Sequence, residues 1–315
     1  MGNVVQTTTP VALPPQTSAS SADDRPMPWL SIIVPTRRLD DTLRRRVDRT
    51  LQLLPGCEVL IVEPAPDAAP NTAAPAATAP IAGPEPAAMA SFDRRGITPV
   101  PGSGPPGRRN RDCTNGSSPC LGGTASAGTD GNVRRLTGRR GRGTQCNAGA
   151  RAASAELLLF LHDDTDLPTS AADVIGQAFR DPATEAACFR LSFDHRHPVL
   201  SLYAWFSRFD SYLTSFGDQG ILIRRTLFEA LGGFPDWPLF EDVELLRRAR
   251  RHTRIRKLPA KVTTSAVRFI DNGIIRQQVL NASLILRFTL GAKPEALHAS
   301  YERRRGPKRR GTTDL

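Results

Sequence analysis

From Pro28 the chain reads Trp29-Leu30-Ser31-Ile32-Ile33-Val34-Pro35-Thr36, a dense apolar run closed by proline. Such a run suits a strand buried on both faces of a parallel sheet. Asp40-Asp41 is placed to start a helix, and Leu43, Val47, Leu51 and Leu54 then recur at helical spacing with arginines on the opposite face. Pro55-Gly56 stops that helix, and 58–63 (EVLIVE) is a second strand. Strand, helix and strand joined by short turns form a βαβ unit, which predicts a parallel sheet.

The pattern breaks at about 64. Ala-Pro repeats give way to Gly, Ser, Pro and Arg without periodicity until about 131. A stretch of this kind buries too little apolar surface to offset its ordering entropy, so a long disordered insertion is expected. The alternation resumes with a short strand at 133–136. A glycine turn follows, leading into a helix of small residues over 141–154. A strand at 156–162, a helix at 170–180 and a strand at 185–194 come next. Residues 199–216 (VLSLYAWFSRFDSYLTSF) form an apolar, aromatic helix candidate. Core is its default reading, with a membrane-surface helix or a substrate wall as alternatives. Residues 220–223 make another strand, and Thr226 is expected to cap a short helix ending at Gly232-Gly233.

Composition narrows this to one folded domain with disordered additions. Apolar content is only 39%, while 27 Pro and 25 Gly are abundant. The expected division is a disordered tail over 1–27, an α/β domain over 28–291 containing the insertion, and a C-terminal helix with a basic tail over 292–315. Lys and Arg number 42 against 31 Asp and Glu, a net charge of +11. The arginines gather at 108–111, 134–142 and 303–310. With no aromatic residues interleaved, these runs read as weak electrostatic attachments, and no specific nucleic acid is expected. Five cysteines at scattered positions encode neither a disulfide framework nor a zinc site. The polar start lacks a leader pattern, and no run is long enough to span a bilayer, which gives a cytoplasmic location as the expectation.

Candidate chemistry lies in two acidic clusters. In 156–168 (ELLLFLHDDTDLP) an apolar strand stops at a histidine and three carboxylates. Ligands of open α/β sheets bind outside such carboxyl ends, and oxygen-rich clusters suit a hard divalent cation; an acidic, solvated turn is the alternative. In 233–246 (GFPDWPLFEDVELL) a Pro-rich loop meets a helix start bearing Glu241, Asp242 and Glu244. Acids there either stabilise the helix N-terminus or supply a carboxylate ready to take a proton from a hydroxyl.

Taken with SIIVPT, GRGTQCNAGARAASAELLLFLHDDTDLP and GDQGILIRRTLFEALGGFPDWPLFEDVELLRR, the chain resembles family-2-type glycosyltransferases of the GT-A fold. The tail LPAKVTTSAVRF belongs to the same resemblance, which is strongest to the subgroup labelled arsenosugar-biosynthesis-type. It implies a Rossmann-like α/β fold: a mostly parallel sheet flanked by helices, in a single domain with a long disordered insertion. By the same resemblance, Pro35, Thr36, Glu63, Arg142, Gln145, Asn147 and Asp163 would serve the nucleotide-sugar. His162, Asp164 and Asp166 would hold a divalent metal, Mn²⁺ or Mg²⁺. Asp242, beside Glu241, would be the catalytic base, and Asp218 with Gln219 would face the sugar or acceptor. The implied activity is inverting, metal-dependent transfer of the hexosyltransferase type, from a nucleotide-diphospho-sugar donor to an acceptor hydroxyl.

Two positions depart from the family pattern. Glu63-Pro64 stands where the family has aspartate and small polar residues, and Arg37-Arg38 replaces the usual Asn-Glu. A catalytically weak module of this fold, binding a partner through its basic segments, is the alternative reading. A nucleotidyltransferase on a similar sheet has no use for the Glu241-Asp242 block. The acceptor is not encoded legibly; the apolar 199–216 stretch leaves a lipid-linked acceptor and weak peripheral membrane contact open.

Overall fold

The structure, a computed structural model, describes residues 27–66 and 132–305. The expected N-terminal tail up to 26, residues 67–131 of the expected insertion and the basic residues after 305 lie outside the described residues. The chain runs β1 (Ser31–Pro35), α1 (Asp41–Leu53), β2 (Glu58–Pro64), β3 (Val133–Gly138), α2 (Arg142–Ala152), β4 (Leu157–Phe160) and β5 (Thr165–Asp166). It continues through α3 (Ala171–Phe179), β6 (Ala186–Phe193), α4 (Pro198–Phe206), a 3₁₀ turn (Gly217–Gln219), β7 (Ile221–Arg224) and α5 (Arg225–Ala230). The last elements are α6 (Glu241–Ala249), β8 (Ile255–Thr264), α7 (Val267–Asn272), α8 (Ile274–Thr289) and α9 (Pro294–Arg305).

The strands form one sheet in the order β3-β2-β1-β4-β7-β6-β8-β5. β1 pairs in parallel with β2 and β4, β2 with β3, and β6 with β8, whereas β7 runs against β4 and β6 and the short β5 against β8. This is the mostly parallel, helix-flanked α/β sheet expected. Alternation along the central strands explains why helices cover both faces. Ile32, Val34 and Leu159 join one core with Leu43 and Val47 of α1 and Ile175 of α3. Ile33, Leu158 and Phe160 join the other with Cys146 of α2, Leu227 of α5 and Leu245 of α6. Each such side chain, taken fully out of water, contributes about 1.5–3 kcal/mol. Helix α1 starts as predicted, with the Asp40 side chain accepting from the Leu43 amide at 2.8 Å. Close packing of small residues also appears: a Cβ built on Gly149 would lie 2.4 Å from Ile33 Cγ2.

Three expectations need correction. First, β2 continues through Pro64, which pairs with Gly138, so the pattern break falls after the strand rather than at 64. Second, α5 begins at Arg225 with Arg224 at the cap position and no side-chain cap, so Thr226 does not cap it. Third, the 199–216 stretch is not one helix and is core only in part, through the buried Leu200 and through Tyr203, which packs against the core. Helix α4 ends at Phe206, where the Ser207 hydroxyl donates to Ala204 O (2.5 Å) and accepts from the Leu191 amide (2.8 Å), tying the chain to β6. Arg250 then grips Asp210 at 2.5 Å and donates to Ser211 O, holding the following loop against the end of α6. Many of its other large side chains stay in the open: Leu202, Trp205, Phe209 and Leu213 are all 46–57% exposed.

Of the arginine run at 134–142, Arg134 pairs with Glu58, Arg135 with Glu63 and Arg139 with Asp236. These three are occupied within the fold rather than free for a partner. Cys57, Cys146 and Cys188 are buried free thiols. No helix among the described residues is long and apolar enough to cross a membrane.

Candidate active site

Topology explains why distant residues meet. β1 and β4 are parallel neighbours, so their carboxyl ends place Pro35-Thr36 beside His162-Asp163. β7 runs against β4 with Ile221 opposite Phe160, which brings the 217–220 turn back to that same end of the sheet. Thr165 of β5 pairs with Thr264 of β8, which places the preceding Asp164 next to the end of β8. The first turns of α2 and α6 then face each other across this rim, linked through Arg142.

Arg142 is the hub. Its Nε donates to Glu241 Oε1, Nη2 lies 3.4 Å from Asp242 Oδ1, and Nη1 lies 3.1 Å from His162 Nε2. Burial works against the guanidinium charge, but Glu241 and Asp242 outweigh it and keep Arg142 cationic. Burial and the neighbouring Arg142 charge drive His162 down to about 3, with Asp242 opposing them, so the imidazole is neutral. Nε2 therefore accepts from Arg142.

The two carboxylates sharing Arg142 are shifted in opposite directions. Burial raises both, but for Asp242 the guanidinium, the Gly217 amide at 2.6 Å and the Val243 amide at 2.9 Å more than reverse it. Asp242 titrates below the ordinary aspartate range and stays ionised. Glu241 is raised, because burial and the Asp242 charge outweigh what Arg142 returns. The helix start that presents them is unusual: Phe240, at its cap, has φ 64°, the one positive φ outside glycine among the described residues. Glu244, also on the first turn of α6, is held by Arg247 and Arg248.

Asp218, from the 3₁₀ turn, faces the same space. Burial, then the charges of Asp242 and Asp164, push its carboxyl up to about 7. Its Oδ1 is buried without a hydrogen-bond partner. Gln219 is bound within the fold instead: Nε2 donates to Thr214 O and Oε1 accepts from Lys257 Nζ, both at 2.5 Å.

The residues expected on the nucleotide side form a connected structural net. Both Gln145 amide hydrogens go to backbone carbonyls, those of Thr36 (2.8 Å) and Val62 (2.6 Å). Asn147 makes a two-way tie to Phe234, donating to its carbonyl and accepting from its amide. Glu63 accepts from the Leu39 amide and from Arg135; burial raises its carboxyl, but these two hydrogen bonds and the charges of Arg135 and Arg44 together more than reverse it. Thr36 Oγ1 donates to Asp163 Oδ2 at 2.8 Å. Pro35 lines a small crevice with Arg142, His162 and Asp242.

The expected metal set is not assembled. Among the described residues, no three His, Cys, Asp or Glu side chains converge as a group that could hold a metal. Asp166 pairs with Arg46 at 3.3 Å, and His162 Nε2 faces the Arg142 cation. Asp164 has only long contacts to the Thr165 and Thr264 hydroxyls (3.4 and 3.5 Å), and burial plus Asp163 raise its carboxyl. One under-partnered carboxylate lining an open cavity suits a hard cation that takes its other ligands from water and phosphate oxygens.

Arg142, His162, Asp164, Asp218 and Asp242 open together into a cavity of about 1660 Å³. Sequence reasoning missed two further groups there. Arg268, at the start of α7, lines the cavity and acts electrostatically on His162 and Asp164. Arg46, one of the arginines of α1, pairs with Asp166 and donates to Asp163 O. Its place on α1, one position from the buried Val47, was the available signal.

No protein-family model matches the sequence, and no curated protein matches it. Solved structures similar in shape include the mannosyltransferase PcManGT from Pyrobaculum calidifontis, in complex with GDP-Man and Mn²⁺. It is 16% identical with a TM-score of 0.46, over 88% of this chain and 72% of that one. S. aureus TarS 1-349 in complex with UDP-GlcNAc is another, 13% identical with a TM-score of 0.41, over 75% of this chain and 58% of that one.

Proposed function

We propose that this chain transfers a sugar from a nucleotide-diphospho-sugar to an acceptor hydroxyl, with inversion, using Asp242 as the base. The observation that carries the reading is a buried carboxylate kept ionised by two backbone amides and Arg142 at the polar end of a large cavity. An ionised, fixed carboxylate accepts the hydroxyl proton as that oxygen attacks the anomeric carbon from the face opposite the diphosphate. Inversion follows from a single displacement. Arg142 holds Asp242 in place and fixes the His162 tautomer, while Asp218 offers an unpartnered oxygen to a sugar or acceptor hydroxyl. A divalent cation entering with the donor would be held by Asp164 and would neutralise charge on the leaving diphosphate.

The test is release of nucleoside diphosphate from a panel of UDP- and GDP-sugars with Mn²⁺ or Mg²⁺. Wild-type protein releases it and EDTA stops the release. Asp242→Asn lowers the rate by about 10²–10⁴-fold while nucleotide affinity is kept. Full activity in that variant removes Asp242 from the role of base.

A further inference from the structure

The cavity that holds Asp242 has a second half that sugar chemistry does not use. Away from the charged end it is walled by Phe193 of β6, Tyr203 and Phe206 of α4, Phe269 of α7, and Leu284 and Ile285 of α8. At about 1660 Å³ it exceeds the roughly 300–1,000 Å³ of ordinary small-molecule pockets. The lining shares Arg142 and Asp164 with the donor side but leaves out Pro35, Thr36 and Glu63, so its apolar part lies away from the space expected for the nucleotide.

The apolar wall continues onto the surface. Of fourteen large hydrophobic side chains exposed among the described residues, twelve lie in 202–213 or on α7, α8 and Leu290 just after α8. α4 and α8 pack against each other, so these two groups flank one opening. Phe206, Phe209, Leu213, Val267 and Leu286 are at once exposed and part of the cavity lining. Exposed apolar side chains thus line the mouth of the same cavity that reaches the carboxylate of Asp242. Apolar surface gathered at one mouth, and continuous with a reactive polar end, calls for a ligand with the same polarity gradient.

We infer that the acceptor is an amphiphile: a hydroxyl-bearing head delivered to Asp242, carried on a long apolar chain that lies along the α4–α8 wall. This rests on the glycosyl-transfer reading and names the acceptor class for the same site. A water-soluble sugar acceptor would cover only a small part of this wall. A chain of many methylenes would cover it, and each methylene taken from water strengthens binding about threefold to fourfold.

The experiment measures binding of n-alkyl β-D-glucosides, from about four to about ten carbons and below their micelle concentrations, to the full chain by calorimetry. UDP and GDP binding are measured in parallel. Affinity rises about threefold to fourfold per methylene. Leu286→Ser and Phe209→Ser, both at exposed positions that tolerate substitution, weaken the longest glucoside by about fivefold to tenfold and leave the shortest unchanged. Affinity independent of chain length, with UDP or GDP still bound, overturns the amphiphile while glycosyl transfer stands. Steep chain-length dependence with neither nucleotide bound overturns the acceptor role together with the glycosyl-transfer reading. A dimer in sedimentation that dissociates in both variants, with a flat chain-length series, assigns the apolar mouth to a second copy of the chain instead.

Discussion

Gly217 and Asp242, 25 residues apart in sequence, meet through a 2.6 Å hydrogen bond from the glycine amide to Asp242 Oδ2. A Cβ on Gly217 would lie 2.8 Å from that same oxygen and 3.0 Å from His162 Nε2. Only a residue without a side chain lets the 3₁₀ turn donate to the carboxylate from this distance. Gly217→Ala should therefore displace Asp242 rather than unfold the chain. A displacement near 1 Å costs about 10²-fold in rate, against about 1–3 kcal/mol of stability. Nucleoside diphosphate release and chemical denaturation of the same variant separate the two effects.

Arg142 serves three partners, and removing it leaves Glu241 and Asp242 buried without their cation. A fully buried pair broken in this way loses 3–5 kcal/mol. The Arg142 side chain is 39% exposed, so water takes up part of its role and Arg142→Ala should cost about 1–3 kcal/mol. Adding Glu241→Gln removes one of the stranded charges. Denaturation midpoints should show the double variant more stable than Arg142→Ala alone, and additive losses would break the link.

Asp218 gives a pH signature. Its folded value near 7 is above that of an unfolded aspartate, so the folded state binds the proton more tightly. The stabilisation is complete below the unfolded value near 4 and declines as pH rises, levelling off above about 7. Asp218→Asn removes this decline. The stability difference between variant and wild type, followed by urea denaturation from about pH 4 to about pH 8, should move in favour of the variant as pH increases. A constant difference would mean that Asp218 titrates normally.

Helix α2 sits so close to the sheet that Gly149→Ala would force a methyl against Ile33 and Val62, with the nearest contact at 2.4 Å. Backbone separation has to increase, at a cost of about 1–3 kcal/mol. The same shift pulls on Gln145, whose amide bridges Thr36 O and Val62 O one turn earlier. Thermal unfolding measures the first effect, and nucleotide affinity measures the second.

The strands and the first helix were readable because their information is local. Unbroken apolar runs mark β1, β2 and β4, and Asp40 caps α1 in the place its spacing predicts. The 199–216 stretch misled because apolar density reports avoidance of water without saying what replaces it, a core or an open cavity wall. The charged site was half legible. His162, Asp164, Asp218 and Asp242 stand out as polar groups at element ends, and all four line one cavity. Which of them pair with which is set by long-range geometry: Arg142 reaches His162 across 20 positions and Glu241 across 99. Gln145 and Asn147 show the converse limit. The resemblance gives both a nucleotide-sugar role, and the ties that each makes between backbone segments have no local sequence signal.

The left-handed turn at Phe240 links parts of the molecule that otherwise share no chemistry. A non-glycine residue at φ 64° carries about 1–3 kcal/mol of conformational cost, and something has to hold it there. The Phe240 ring packs on Phe288 with centroids 4.9 Å apart, and Phe288 belongs to α8, the helix that also supplies Leu284, Ile285 and Leu286 to the cavity. The helix that would feel an arriving apolar chain thus also latches the kink from which Asp242 projects. A chain lying along α8 would therefore press on the same helix that packs against the start of α6.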